Sequence, residues 1–433
     1  MRQARGAGAF GRMVRDTLAS SRIYSRFRNS RAEGDPLDAL LDAPGEVSGI
    51  VLAQSILQRY AEADEAGKRT FLRRLATGFG LDAGLVAAAA QRYAQDASAE
   101  NYKRLMKTSE PPRQEVLRRL NTAPGGTVAL VHMREDLLRY LKDEPEDEAL
   151  GTLDLDFAHL FASWFNRGFL SVERIDWRSP AELLERIIRY EAVHDIRDWD
   201  DLRGRVDAPD RACYAFFHPV LEDEPLIFVE VALTLEVPGS IQALLEHERE
   251  TIDPAEAKTA VFYSISNCQR GLKGVSFGAF LIKQVLQELS QTYPNLNTWV
   301  TLSPVPKFAD WLSQTDDVPI QMQEVIEKPL EERSEALEPH DHALKRAALR
   351  YFTHAKARRD EPLDPVARFH LNNGAKLLHI HARADLSDKG IEQALGLMVN
   401  YQYEPKKMLE HHEAYATKEV VLDRGLEKQL KTW

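Results

Sequence analysis

The stretch 262–311 limits the fold more than any other part of the chain. An apolar strand, a glycine-bearing loop, an amphipathic helix and a second strand follow one another there without a break. Thr259 to Ser266 alternates aromatic and branched residues with small ones, as a strand does. The loop Asn267 to Gly274 then brings Gly271 and Gly274, where backbone must turn or come close to a neighbour. From Val275 to Leu289 the residues Val275, Phe280, Leu281, Val285 and Leu289 recur at helical spacing, so the free N–H groups of the first turn face back into the loop. Those donors, the helix dipole and the cations Arg270 and Lys273 suit a phosphate or pyrophosphate. Asn297 to Leu302 reads as the next strand, with Ser303 at its end before Pro304 and Pro306. If the two strands are parallel neighbours, Ser266, the loop and Ser303 share the carboxyl edge of a sheet, where ligands gather in α/β folds.

The rest of the chain bounds what such a unit can serve. At 433 residues the length predicts two or three domains. Apolar runs stay far short of the ~20 residues that span a bilayer, so no integral membrane segment is expected. Cys213 and Cys268 are too few for a disulfide framework, which points to a reducing compartment. A net charge of −11 argues against nucleic acid as a partner. An acidic protein that binds a polyanion must gather cations locally, and Arg270, Lys273, Lys283 and Lys307 offer such a cluster. Met1–Arg31 inverts the overall balance with eight arginines against Asp16 alone. That composition fits a basic arm on the acidic body, the favoured reading, and also an organelle transit peptide. There is no secretory apolar region, and the last residues lack the Ser-Lys-Leu address. The compartment expected is the cytoplasm, or the mitochondrial matrix if the arginine-rich segment is a transit peptide.

From about Glu46 to Asn166 the pattern is helical throughout. Asp64 and Asp82 stand where N-caps belong, Pro111 opens a further helix, and Thr127 to Lys142 carries Val128, Val131, Leu137, Leu138 and Leu141. Short connections imply antiparallel packing in a bundle. Charges such as Arg73, Arg74, Arg118 and Arg119 fall on solvated faces, so the expected role is structural or oligomeric. After Gly168 the composition changes. Ser179-Pro180 starts a helix, and ACYAFFHP and LIFVEVAL flank the turn-rich VLEDEP as an antiparallel hairpin. Mixed strands and helices continue to the C-terminus, except that 320–362, rich in Glu and Arg, reads as a solvated helical insertion. The expected domains are 1–165, helical with the basic arm, and 166–433, mixed α/β and catalytic.

Several segments in this order resemble the malonyl-CoA decarboxylase family: FYSIS, GLKGVSFGAFLIK, LSPVPKF, FHLNNGA from Phe369, and GLMVNYQY from Gly396 to Tyr403. The resemblance runs from about Trp164, through WFNRGFLSVERIDWRSP and RACY, to Tyr403. It implies a second domain like the acetyl-CoA-dependent N-acetyltransferase (GNAT-type) fold behind an all-helical domain. It also implies conversion of malonyl-CoA to acetyl-CoA and CO2. Ser303 and His370 match the family's catalytic pair. Lys273, Gly274, Val275, Ser276, Phe277, Gly278 and Ala279 fall on the coenzyme-binding segment, and Asn373 and Tyr403 on positions that line the site. Ser276 departs from the glutamate some members carry there. No cofactor is implied, whether metal, biotin or pyridoxal phosphate. The partners implied are the acyl-CoA itself and further copies of the chain, as a dimer or tetramer through the helical domain.

Loss of CO2 leaves an electron pair on the α-carbon, delocalised into the thioester oxygen, so the site must stabilise an enolate and protonate carbon. Backbone N–H groups at the loop could serve the oxyanion, each worth ~3 kcal/mol. His370, near the ordinary histidine value of ~6.5, is expected to be cationic when poised to donate. Ser303 is expected to hold the malonyl carboxylate or relay a proton toward His370. Without the resemblance, Ser303 reads as the N-cap of the helix PKFADWL, and His370 as an ordinary member of thirteen histidines. Asn373 and Gly374 form a turn that could aim the imidazole inward. His379 and His381 share a strand face but lack a third metal ligand, so the bland reading wins there, as it does for His340–His342 and Cys268. No Walker pattern occurs. The competing readings are an acyl-CoA-dependent N-acyltransferase and a non-enzymatic acyl-CoA-binding regulator.

Overall fold

The structure of the chain is a computed structural model. It describes residues 35–165, 167–221, 224–275, 280–315, 324–357 and 360–431. The arginine-rich Met1–Arg31 and the residues Ser276, Phe277, Gly278 and Ala279 lie outside them. The chain forms two compact units. One takes the chain up to Ser171 with Phe217–Pro225 and Gln269–Phe277; the other takes Val172–Phe216, Leu226–Cys268 and Gly278–Trp433.

The first unit is helical. Asp64 accepts from Gly67 N at 2.8 Å to start helix Glu65–Gly78, and Asp82 accepts from Leu85 N at 3.0 Å to start Ala83–Gln95. Each cap satisfies a backbone donor that the first helical turn leaves unpaired. Helices Glu46–Glu62, Glu65–Gly78, Pro112–Asn121, Gly126–Asp143 and Glu148–Trp164 bury Ile56, Leu72, Leu75, Val116, Leu117, Leu130, Leu137, Leu153 and Phe157 between them. The interior also holds charge in compensated form. Arg113 pairs with Asp156, whose other oxygen accepts from Gln114 at 2.5 Å. Arg134 donates to Asp154 at 2.7 Å and to the carbonyl of Gly271 at 2.8 Å. Gly271 therefore has a packing reason. A Cβ there would stand 1.9 Å from the carbonyl oxygen of Val131 on helix Gly126–Asp143, where only glycine fits.

The second unit is built on an eight-stranded mixed sheet. Its strands are β1 (Ser171–Ile175), β2 (Arg211–Phe217), β3 (Pro225–Thr234), β4 (Thr259–Asn267), β5 (Thr298–Thr301), β6 (Ser303–Pro304), β7 (Ala375–His381) and β8 (Met398–Tyr403). The order is β1-β2-β3-β4-β5-β8-β6, with β7 on β8. β4 and β5 are the expected parallel neighbours, Thr259 facing Thr298 and Phe262 facing Thr301. β8 runs antiparallel to β5, β6 and β7. Against β3 the register of β4 slips: Ser264 faces Glu230 but Phe262 faces Val231, so Tyr263 is an extra residue in β4. A bulge of this kind bends its strand and re-aims side chains.

Two local expectations change. Ser303 caps no helix: it pairs with Val399 in β6, and the next helix begins only at Phe308. The stretch read as a solvated insertion is partly core. Helix Asp341–His354 buries Leu344, Ala348, Leu349, Tyr351 and Phe352, and Tyr351 donates to Asp364 at 3.3 Å. The charges that made it look solvated occupy the helix's other face, a pattern that composition averages away.

Candidate active site

Two strands and one helix bring the site together, each by its own periodicity. In β5 and β6, Thr301 and Ser303 are two residues apart and so share a face; Ser303 Oγ donates to Thr301 Oγ1 at 2.8 Å. In β8, Tyr401 and Tyr403 share a face in the same way. Helix Pro365–Asn372 supplies the imidazole. Proline stands at its start, and Asp364 accepts from Val366 N at 2.9 Å and Ala367 N at 2.8 Å. Ala367, His370 and Leu371 then fall on one buried stripe. His370 is stacked on the Tyr401 ring at 4.7 Å, places Nδ1 2.8 Å from the Tyr403 hydroxyl, and places Nε2 3.2 Å from Ser303 Oγ.

Ser303 and His370 open onto a cavity of about 330 Å3. Its other walls are mainly apolar: Phe262, Ile265, Pro304, Pro365, Val366 and Phe369 among them. The β4 bulge explains why successive residues, Phe262 and Tyr263, both reach it. A larger cavity of about 580 Å3 elsewhere in this unit holds neither residue. Its arginines are already paired, Arg205 with Asp201 and Arg249 with Asp210, so the smaller cavity is the one with uncommitted chemistry.

Burial sets the charge of the site. It pushes His370 down to about 3, so the imidazole is neutral in this structure, not the expected cation. Burial pushes Tyr403 upward, so its hydroxyl keeps its proton. Asp364, under the same helix, is pushed up to about 6 by burial, although the N–H groups of Ala367 and Val366 pull the other way. Its folded value lies above its ordinary one of 3.8, so folding favours the protonated form. That contribution is fully present below about pH 4 and is lost as pH rises through 6, a change of about 3 kcal/mol. Asp364→Asn keeps a capping oxygen without the titration. Denaturant unfolding at pH 4 and pH 7 should therefore show the parent losing about 2.4 kcal/mol relative to the variant. A difference that does not move with pH would refute this origin.

Of the residues singled out from sequence, Ser303, His370 and Tyr403 come into direct hydrogen-bonded contact. Asn373 spends its amide on the carbonyl of Phe369 at 2.7 Å, closing the end of the helix, and does not line the cavity. Lys273, Gly274 and Val275 belong to the helical unit, where Lys273 and Gly274 are exposed and Val275 is buried. Arg270, expected to be free for an anion, lies 3.7 Å from Glu135. His381 Nε2 is 2.5 Å from Asn400 Oδ1, and no cluster of three or more His, Cys, Asp or Glu suited to a metal occurs among the described residues.

Comparison with known proteins gives the family. The family model described as malonyl-CoA decarboxylase C-terminal domain matches residues 168–433, and the N-terminal domain model matches 79–165. The chain belongs to the malonyl-CoA decarboxylase family. It is 35% identical over 391 residues to the mitochondrial malonyl-CoA decarboxylase of Anser anser anser, covering 80% of this chain and 76% of that protein. The crystal structure of malonyl-CoA decarboxylase from Rhodopseudomonas palustris superposes with a TM-score of 0.84 at 48% identity, over 91% of this chain and 98% of that one. The Agrobacterium vitis malonyl-CoA decarboxylase gives 0.83 at 45%, with the same coverage.

In this malonyl-CoA decarboxylase family member, sequence reading missed Thr301, Tyr401 and Asp364. Thr301 had a weak signal, its spacing of two from Ser303 along a strand. Tyr401 sits inside the GLMVNYQY segment, yet only its ring stack on His370 shows what it does. Asp364-Pro365 is an ordinary helix-start signature, and nothing in the letters says that this helix carries the imidazole.

Proposed function

We propose that the chain catalyses decarboxylation of malonyl-CoA to acetyl-CoA and CO2. The observation that carries this reading is the buried Ser303–His370–Tyr403 chain facing an apolar cavity in a member of the malonyl-CoA decarboxylase family. An apolar site destabilises a carboxylate more than the diffuse charge of an enolate, which favours loss of CO2. The C–C bond breaks, its electron pair passes into the thioester, and the α-carbon takes a proton. The thioester is its own electron sink, so the reading calls for no prosthetic group.

His370 is the proton donor in this scheme. A malonyl carboxylate beside the buried neutral imidazole favours proton uptake, because an opposite charge stabilises the imidazolium. When CO2 leaves, the negative charge moves to the enolate and the Nε2 proton follows it. Ser303, 3.2 Å from Nε2, keeps the imidazole N–H aimed beside the cavity. Lys273 to Val275, with Ser276 to Ala279, remain the proposed hold on the coenzyme diphosphate, supported by the glycine loop before helix Phe280–Thr292.

Purified protein incubated with malonyl-CoA should release CO2 and acetyl-CoA in equal amounts without an added amine, whereas an acyltransferase would need the amine. Ser303→Ala should lower the rate about 100-fold. An intact fold that releases no CO2 overturns the reading. Assembly through the helical unit stays part of the proposal. Its support is the exposed apolar residues Leu85, Tyr102 and Met106, and the mass in solution measures it. The mitochondrial names of the goose, rat and mouse relatives support the matrix alternative for Met1–Arg31. No described helix is long and apolar enough to cross a membrane.

A further inference from the structure

The hydrogen-bond chain at the site extends one residue beyond the pair that performs the proposed chemistry. Thr301 is completely buried. Oγ1 accepts the backbone N–H of Tyr401 at 3.1 Å and the hydroxyl of Ser303 at 2.8 Å. Its carbonyl accepts from Asn400 Nδ2 at 2.8 Å, and Asn400 is itself completely buried and held by Pro238 O and His381. A hydroxyl oxygen has two acceptor positions, and both on Thr301 are filled. We infer that Thr301 is a positioning residue that sets the direction of the proton chain through Ser303 and His370. The inference rests on the decarboxylase reading above.

The direction follows from counting protons. Ser303 has one, and it goes to Thr301, which leaves the Ser303 lone pairs for His370 Nε2 and for the cavity. With the Ser303 proton on Thr301, Nε2 has to donate to Ser303, so Nδ1, 2.8 Å from the Tyr403 hydroxyl, accepts from it. A neutral imidazole that accepts at Nδ1 carries its hydrogen on Nε2. Every bond then has one donor and one acceptor: Tyr403 O–H to Nδ1, Nε2–H to Ser303, Ser303 O–H to Thr301. With the Thr301 acceptor removed, the Ser303 hydroxyl turns to Nε2, its other side-chain partner among the described residues. The imidazole hydrogen moves to Nδ1, and the Nε2 lone pair accepts the Ser303 hydroxyl, a bond that must break before Nε2 can take up the proton it gives to carbon. That reversed polarity is the one that activates a serine nucleophile. Thr301 thus keeps the serine–histidine pair poised to protonate carbon.

The experiment uses the full chain labelled with 15N-histidine, with the His370 signals assigned by their absence from His370→Gln. The parent should show the Nε2–H tautomer. Thr301→Val, which keeps the shape and removes the acceptor, should shift His370 toward Nδ1–H. It should also lower kcat about 100-fold while KM stays within about threefold. Thr301→Ser should restore the parent tautomer and most of the rate. An Nδ1–H imidazole in the parent overturns the inference even if the valine variant does not fold. A valine variant that keeps the parent tautomer also overturns it, whether its rate is unchanged or reduced, since a loss without a tautomer change marks a packing defect. A parent that releases no CO2 instead defeats the decarboxylase reading, and the tautomer spectrum tells the two failures apart.

Discussion

Decarboxylation by a His370→Gln variant is expected to run about a thousandfold slower than by the parent, with KM for malonyl-CoA changed by less than about threefold. The imidazole is buried among Tyr401, Tyr403 and Ser303, and its Nε2 faces Ser303 at the cavity. Glutamine fills a similar volume and still offers an N–H toward Ser303, but an amide cannot take up and release a proton near neutral pH. The loss should therefore fall on protonation of the α-carbon, which occurs after binding, and so on kcat. Steady-state CO2 release measures it. A variant within tenfold of the parent would show that another group protonates carbon and would remove His370 from the proposed mechanism.

The second large effect is on stability. Gly374 follows the helix that carries His370 and leads directly into β7. It has φ +83°, and a Cβ built on it would lie 2.2 Å from the carbonyl oxygen of Met408. Gly374→Ala is expected to cost about 4 kcal/mol, because left-handed strain and a clash with backbone add. Gly125 separates the two terms. Its φ is +73°, but nothing lies within 4 Å of its Cβ position, so Gly125→Ala should lose only about 1–2 kcal/mol. Denaturant unfolding of the two variants beside the parent checks both numbers. Equal losses would mean that the Met408 backbone yields, and the clash would then contribute nothing.

The energetics of the site show why its charge state was not legible beforehand. From the letters, His370 is a histidine with an ordinary pKa, in a segment that resembles a family motif. The low value in the fold comes from complete desolvation between two tyrosine rings and a serine. These neighbours come from positions far away in the chain. Gly271 gives a parallel case. Its presence in a loop before a helix was legible and pointed to an anion. Its packing against the Val131 carbonyl depends on a helix more than a hundred residues earlier. Asn373 shows the limit of carrying a motif over. Its place beside His370 in sequence put it near the site, but the helix end claims its amide for the Phe369 carbonyl.

What the sequence determined by itself was local and periodic. Period-two alternation gave β4 and β5, capping residues gave the helices of the first unit, and ordered motifs gave the family. These signals persist in the letters because backbone hydrogen bonding and side-chain spacing act over a few residues. Tertiary structure alone decided which residues meet. Thr301 against Ser303 could be read as neighbours on a strand, but His370 against Tyr403, Asp364 beneath the helix and the cavity wall could not. Those contacts arise from burying separate apolar faces together, and burial also strips the water that would have kept an imidazole charged. The order of motifs along the chain identified the chemistry, and the desolvated packing of distant elements set the proton positions through which it runs.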